Sequence, residues 1–306
     1  MDVMHIAEQT ASALVGWRLV RLRAFLDGPL AIVATGNTLA LATLWARLHE
    51  TTGRPAWSLT PADFRQRPLP TGTRVLLLSA TGRHHDILGA ARHAARPGTR
   101  IHAVVHDGSA PLCDLVRAGG GDVTVLPPPP PPADLADPWV GIPMLVLAGT
   151  VYGLGPVEQV FVPAVHPDPP TTRPGFVLAL GAGLASPAAQ AFATRCRESG
   201  FCMAAAGDRR NVTHGDLMPI DPSVTWLVHF ALPDDAPRLA AYDQHLPVMA
   251  TTRLVCDATG VTGAISLFLK GSALFRAAVE RFDCRPTTTT LPDWIKALYR
   301  LAEEQP

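Results

Sequence analysis

The chain has 306 residues, with 26 basic and 26 acidic side chains and a formal net charge of zero. Only Lys270 and Lys296 are lysines; the other 24 basic residues are arginines. This balance argues against a generic nucleic-acid coat or a polybasic membrane patch. A hydrophobic share of 47% against 17% charged residues excludes disorder over most of the chain. Imine chemistry has only two lysines to draw on.

The length fits one large domain or two small ones. No N-terminal stretch joins a basic start, an apolar run and a small-residue cleavage site. No apolar run is long enough to span a membrane, and the richest, 142–155, is short and broken by glycines. Cys113, Cys196, Cys202, Cys256 and Cys284 are odd in number and lack CxxC spacing. They read as reduced, mostly buried thiols of a cytoplasmic protein. No Cys/His cluster has zinc-ligand spacing, so no metal is expected.

In chain order, 1–27 has helical periodicity and ends at Gly28-Pro29. The apolar run 30–34 has strand length, Thr35-Gly36-Asn37-Thr38 is a turn, and a helix follows to about His49. The unit repeats as a strand at 74–78, a turn at Ser79-Ala80-Thr81-Gly82 and a helix at 86–96. A strand at 100–105, a helix at 112–118 and a strand at 122–126 come next. This alternation predicts a parallel sheet with helices on both faces. Six prolines, Pro127–Pro132, form a stiff spacer or a ligand for a proline-reading module. The helix expected at 139–154 has no polar face, which implies burial against a neighbour or a second subunit. A Pro/Thr-rich stretch, 160–173, marks a boundary. Beyond it come a strand at 176–180, a turn at 181–183, a helix at 186–199, a strand at 225–232, a helix at 236–245 and a turn and strand at 248–257. Helices at 265–282 and 293–304 close the chain.

Two turns carry chemistry. A strand opening into Gly36-Asn37-Thr38 offers backbone N–H groups at a positive helix end. Ser79-Ala80-Thr81-Gly82 offers the same with two hydroxyls. Both fall at strand carboxyl ends, where open parallel sheets bind ligands, and together they suit a phosphate without any lysine. Helix capping alone would also account for these hydroxyls. No GxxxxGK[ST] or complete GxGxxG occurs.

These residues resemble the sugar isomerase (SIS) domain family. Residues 76–86, from Leu76 to Asp86, are similar to its strand, then Ser-x-Ser-Gly-x-(Thr)-x-Asp, then helix. The stretch His106–Leu112 with 122–126 is similar to the next part of that domain. In the second half, 181–220 resembles the second SIS domain of the isomerase part of glucosamine-6-phosphate synthases. There Asn211 to Ile220 matches Glu-x-x-His-Gly-Pro-x-x-x-Ile. The similarity spans most of 30–285 and implies an α/β chain of two doubly wound, flavodoxin-like halves: 1–158 and 174–306, with 159–173 as linker.

The resemblance also implies roles. Thr38, Ser79 and Thr81, with the backbone of Gly36, Asn37, Ala80 and Gly82, fall where the family binds the sugar phosphate. His84 stands where the family has a threonine. His214 falls on the histidine of ring opening, presented across a dimer interface. Glu198 falls on the carboxylate that moves a proton between C1 and C2, and Arg195 replaces a lysine one turn earlier. A carboxylate in a partly apolar site and a histidine suit this chemistry. Arg195 and Glu198, three apart on a helix, could equally be a surface pair. The chain departs from the synthases at Asn211 and Ala80. It shows no glutaminase segment, and its C-terminal lysine, Lys296, fits a helix surface. The bifunctional phosphoglucose/phosphomannose isomerases also fit the length, but their Ser-Gly-Asn-Thr-Glu loop is replaced by Thr81-Gly82-Arg83-His84-His85.

The expectation is a homodimeric sugar-phosphate isomerase without metal or organic cofactor, nucleic acid or membrane. An amino-sugar-phosphate deaminase or deglycase is the alternative. So is a non-catalytic sugar-phosphate sensor, using Pro127–Pro132 or the 139–154 helix as its contact surface.

Overall fold

The computed structural model describes residues 17–127, 141–153, 168–208 and 220–284. The expectations at 1–16, at Pro128–Pro132, at His214 and at 293–304 lie outside the described residues.

The first half runs α1 (Trp17–Phe25), β1 (Leu30–Val33), α2 (Asn37–Glu50), β2 (Ala56–Leu59), α3 (Pro61–Gln66), β3 (Arg74–Leu78), α4 (His85–Ala94), β4 (Ile101–Val105), α5 (Pro111–Ala118) and β5 (Asp122–Val125). After α6 (Ile142–Tyr152), the second runs β6 (Phe176–Gly181), α7 (Ser186–Glu198), β7 (Met203–Asp208), β8 (Thr225–Ala231), α8 (Ala236–Asp243), β9 (Ala250–Val255) and α9 (Gly260–Arg281). All described strand pairs are parallel. The sheets are ordered β2-β1-β3-β4-β5 and β7-β6-β8-β9. The first order is that of a doubly wound sheet, whose direction of winding reverses between β1 and β3. The second sheet reverses in the same way between β6 and β8.

Why these segments are strands is visible in their burial. Every residue of β1 and of β8 is buried, as expected for parallel strands covered on both faces. The two faces then sort by alternation. Leu30 and Ile32 of β1 and Leu76 and Leu78 of β3 face one core; Ala31, Val33, Val75 and Leu77 face another. The first of these cores also contains Leu41, Trp45 and Leu48 of α2, Phe192 of α7, Phe275 of α9, and Trp226, Val228 and Phe230 of β8. One continuous apolar layer therefore lies between the two sheets. Helix α6 belongs to it, with Ile142 to Gly149 buried. Of the two partners expected for this apolar helix, a neighbour or a second subunit, the structure supplies the neighbour within the chain, which leaves residues 142–149 no exposed apolar face as a contact surface.

Three elements were not expected. Helix α3 starts where Thr60 Oγ1 accepts from the Asp63 N–H (3.1 Å), with proline at the first helical position. Strands β2 and β7 are edge strands, the first of only four residues, and β7 is rich in alanine and carries no β-branched residue. The 248–257 strand is confined to Ala250–Val255, and α9 begins five residues earlier than the pattern suggested.

Buried histidines tie the layers together. His49 Nε2 lies 2.8 Å from the Gly28 carbonyl, which can only accept, so Nε2 carries the proton. Nδ1 then accepts from Tyr152 Oη at 2.9 Å. Burial lowers the His49 pKa and keeps it neutral. Trp226 and His229 are core residues, both fully buried. Trp226 Nε1 donates to Thr252 Oγ1 at 3.0 Å. The five cysteines are free. Among the described residues no helix is long and apolar enough to cross a membrane.

Candidate functional site

Val33 of β1 pairs with Leu77 of β3, so the loops that leave these strands emerge side by side. Helix α2 then goes to the inter-sheet core and α4 to the opposite face. In an open parallel sheet this divergence opens a crevice, which Gly36-Asn37-Thr38 and the Ser79–Gly82 loop would bound. A glycine is required at both corners. Gly36 has φ +53° and Gly82 φ +63°, which side chains rarely adopt. A Cβ on Gly82 would also stand 2.7 Å from Ala110 Cβ.

The hydroxyls are partly committed to shaping these loops. Ser79 is buried, and its Oγ accepts from the Gly82 N–H at 3.0 Å. Its own proton is not used in that bond. Thr81 Oγ1 likewise accepts from the Arg83 N–H at 3.4 Å. Thr38 differs: its hydroxyl donates to the Thr35 carbonyl at 2.5 Å. Its N–H bonds the same carbonyl at 3.1 Å. Ser79 and Thr81 are thus the better hydrogen-bond donors to an anion. Ala80 contributes backbone only, and its carbonyl accepts from the His106 N–H at 3.2 Å. Arg83 turns outward to Asp107 (2.7 Å). Hydrogen bonds from Ser109 and Arg83 hold the Asp107 carboxyl down at about 2. His84 caps the start of α4 in an extended conformation and stacks on His85, with ring centroids 4.6 Å apart.

The second half reaches into this crevice. Helices α2 and α7 pack on one another, and α7 ends beside the start of α2. Its end is a Schellman motif. Gly200 adopts φ +68° and its N–H bonds Arg197 O, while the Phe201 N–H bonds Cys196 O, both at 3.0 Å. This places Glu198 in the last turn. A carboxylate there is opposed by its own helix dipole but favoured by the positive end of α2. Glu198 Oε2 accepts a hydrogen bond from Asn37 Nδ2. A methyl group added to Gly36 would stand 3.0 Å from Glu198 Oε1, so glycine is what admits the carboxylate. Burial raises the Glu198 pKa. The charges of Arg197 and Arg195 and the Asn37 hydrogen bond pull it back in part. A carboxylate kept where burial disfavours its charge is a candidate functional position.

Arg195 and Glu198 do share a helix, but Arg195 Nη1 donates to Ser272 Oγ of α9. Arg197 donates to Ala204 O and Thr194 Oγ1, both at 3.2 Å. Of the two lysines, Lys270 Nζ donates to the Val255 carbonyl at 2.6 Å. The corresponding crevice of the second sheet is a cavity of about 280 Å³ lined by Asp208, Asp234 and Asp235. Its acidity disfavours a phosphate.

Sequence reasoning treated Asn37 only as a backbone donor. The structure adds its side chain, which holds Glu198. It also brings donor atoms of His84, His85 and Asp86 within 4.8 Å of one another, where the sequence showed no zinc-ligand spacing.

Strand order, two-faced burial and a crevice at the reversal point define an open α/β fold that binds ligands beyond its strand ends. No family model and no curated protein sequence matches the chain. In particular, the fold is that of the SIS phosphosugar proteins. A glucosamine-6-phosphate deaminase from Thermotoga maritima superposes with a TM-score of 0.69 at 12% identity, covering 91% of this chain and 92% of its own. The C-terminal domain of a glucosamine-fructose-6-phosphate aminotransferase from Francisella tularensis gives 0.67 at 14%, covering 94% and 95%. The tagatose-6-phosphate ketose/aldose isomerase of Escherichia coli gives 0.66 at 13%, covering 93% and 90%.

Proposed function

We propose that the chain binds a phosphorylated sugar or amino sugar and interconverts its aldose and ketose forms at C1 and C2. One observation carries this reading. The Glu198 carboxylate, contributed by the second half, meets the Gly36–Asn37 corner of the first half, beside the Ser79–Gly82 loop. A base and an anion cradle in one crevice are what the reaction needs.

The cradle would hold the phosphate through the hydroxyls of Ser79 and Thr81 and the backbone at Ala80 and Gly82, with Thr38 shaping the opposite corner. Glu198 would take the proton from C2 and return it to C1, through a cis-enediol. Burial raises the Glu198 pKa, and a carboxylate raised in this way is a stronger base than an exposed one. Arg195 and Arg197 support its charge. His214 would open the sugar ring, presented from a second copy in a cytoplasmic homodimer. The chemistry needs no organic cofactor. Lys270 is held by a backbone carbonyl, which supports an enediol path over an imine.

The test is exchange of the C2 proton in heavy water, followed by NMR, with hexose, pentose and hexosamine phosphates. Exchange that disappears in Glu198→Gln supports the isomerase. Release of ammonia from a hexosamine phosphate would instead mark the deaminase. Thermal stabilisation without exchange would mark a sensor, and no response to any sugar phosphate refutes all three.

A further inference from the structure

We infer that His84, His85 and Asp86 form a binding site for a divalent transition metal of the zinc class. The three residues follow directly on the Ser79–Gly82 loop, at the start of α4. They are half-buried, and one donor atom from each falls within 4.8 Å of the other two. His85 Nε2 lies 3.1 Å from Asp86 Oδ1, and His84 Nδ1 lies 3.7 Å from Asp86 Oδ2. A zinc ion about 2.1 Å from each donor in tetrahedral geometry sets donor–donor spacings of about 3.4 Å. The two histidines approach different oxygens of the Asp86 carboxylate, and with all donor spacings within 4.8 Å the three residues would close on an ion by side-chain rotation.

The backbone makes the cluster possible. His84 is the extended residue before the helix, with φ −65° and ψ 130°, whereas His85 opens the helix. The change of direction between them lets consecutive side chains turn to the same side, stacked with an interplanar angle of 25°. Two imidazole nitrogens and one carboxylate oxygen suit zinc, cobalt(II) or nickel(II) better than magnesium or calcium, which favour oxygen ligands. The positive end of α4 disfavours a cation, and the Asp86 carboxylate in its first turn offsets this. Arg83, the residue before His84, is drawn to Asp107. Three protein donors leave a fourth position for water or for an oxygen of a bound molecule.

The test uses the full chain, stripped of metal by chelation, and zinc or cobalt(II) ions alone. One equivalent of zinc is expected to bind, and cobalt(II) to develop visible absorption of a tetrahedral nitrogen/oxygen site. The double variant His84→Ala/His85→Ala is expected to bind zinc at least about tenfold more weakly. Folding of that variant is checked by circular dichroism in chelator. In the unmodified chain, labelled with ¹⁵N-histidine, two of the 11 rings are expected to shift on adding zinc. Absence of saturable one-to-one binding, full affinity in the double variant, or shifts confined to other histidines would overturn the assignment. Sugar phosphates play no part in these measurements, so failure of the isomerase reading leaves this result standing.

Discussion

Gly82→Ala separates two costs that usually come together. The residue has φ +63°, and an added Cβ meets Ala110 Cβ at 2.7 Å, Leu112 Cβ at 3.4 Å and Val105 Cγ1 at 3.5 Å. Gly98, in the same half, has φ +86° with nothing within 4 Å of its added Cβ. Alanine in the left-handed region costs about 1–2 kcal/mol. Reduced freedom of the unfolded chain returns about 0.4–1 kcal/mol. Gly98→Ala is therefore expected to lose about 1 kcal/mol. Gly82→Ala bears this and also a contact about 1 Å inside ordinary carbon–carbon distance. Ala110 is the residue before α5 and sits in a packed core, so neither side yields easily. Overpacking of this kind adds about 1–3 kcal/mol. Urea unfolding of both variants, with unchanged m-values, measures the difference. Equal losses in the two variants would refute the steric argument, and with it the idea that this corner of the cradle is held by close packing.

Three further outcomes are expected. Burial raises the Glu198 pKa in the folded state, so its charge costs stability above that pKa; Glu198→Gln should therefore unfold at a higher temperature at pH 7 but not at pH 3. Asn37→Ala removes a hydrogen bond that holds the Glu198 carboxyl down, so the acid limb of any pH–rate profile should move to higher pH. Burial lowers His102 to about 4 from its ordinary 6.5, so the unfolded chain takes up this proton first as pH falls and stability is lost below about 6.5. Between pH 7 and 5 the unaltered chain should lose about 2 kcal/mol more than His102→Gln, which keeps a partner for Thr124 Oγ1. Urea titrations at the two pH values read that difference.

The parts of the fold legible in the sequence were those whose local pattern and tertiary environment agree. Apolar runs such as 30–34 and 74–78 have one explanation, a strand covered on both faces. Two of the edge strands, β2 and β7, were not legible. Ala56–Leu59 and Met203–Asp208 carry weak strand preferences and are held by pairing with β1 and β6. The Thr60-Pro61 start of α3 was a signal that could have been used. The 139–154 helix shows the opposite limit: its apolar surface announced burial, but composition does not say against what.

The same division holds for the site and for the charge balance. The sequence by itself determined two hydroxyl-bearing turns at strand ends, a chain poor in lysine, and a carboxylate and a histidine whose order resembles SIS proteins. Residue type and spacing are local properties, and they suffice for that much. Only the tertiary structure decided that Glu198 meets Asn37, 161 residues away, that Lys270 is engaged by Val255, and that donor atoms of His84, His85 and Asp86 lie within 4.8 Å of one another. These meetings depend on how α2 and α7 pack across a common core and on the backbone turn before α4. The zero net charge is likewise distributed by folding: a cradle of hydroxyls and helix ends in the first sheet, an acidic cavity in the second.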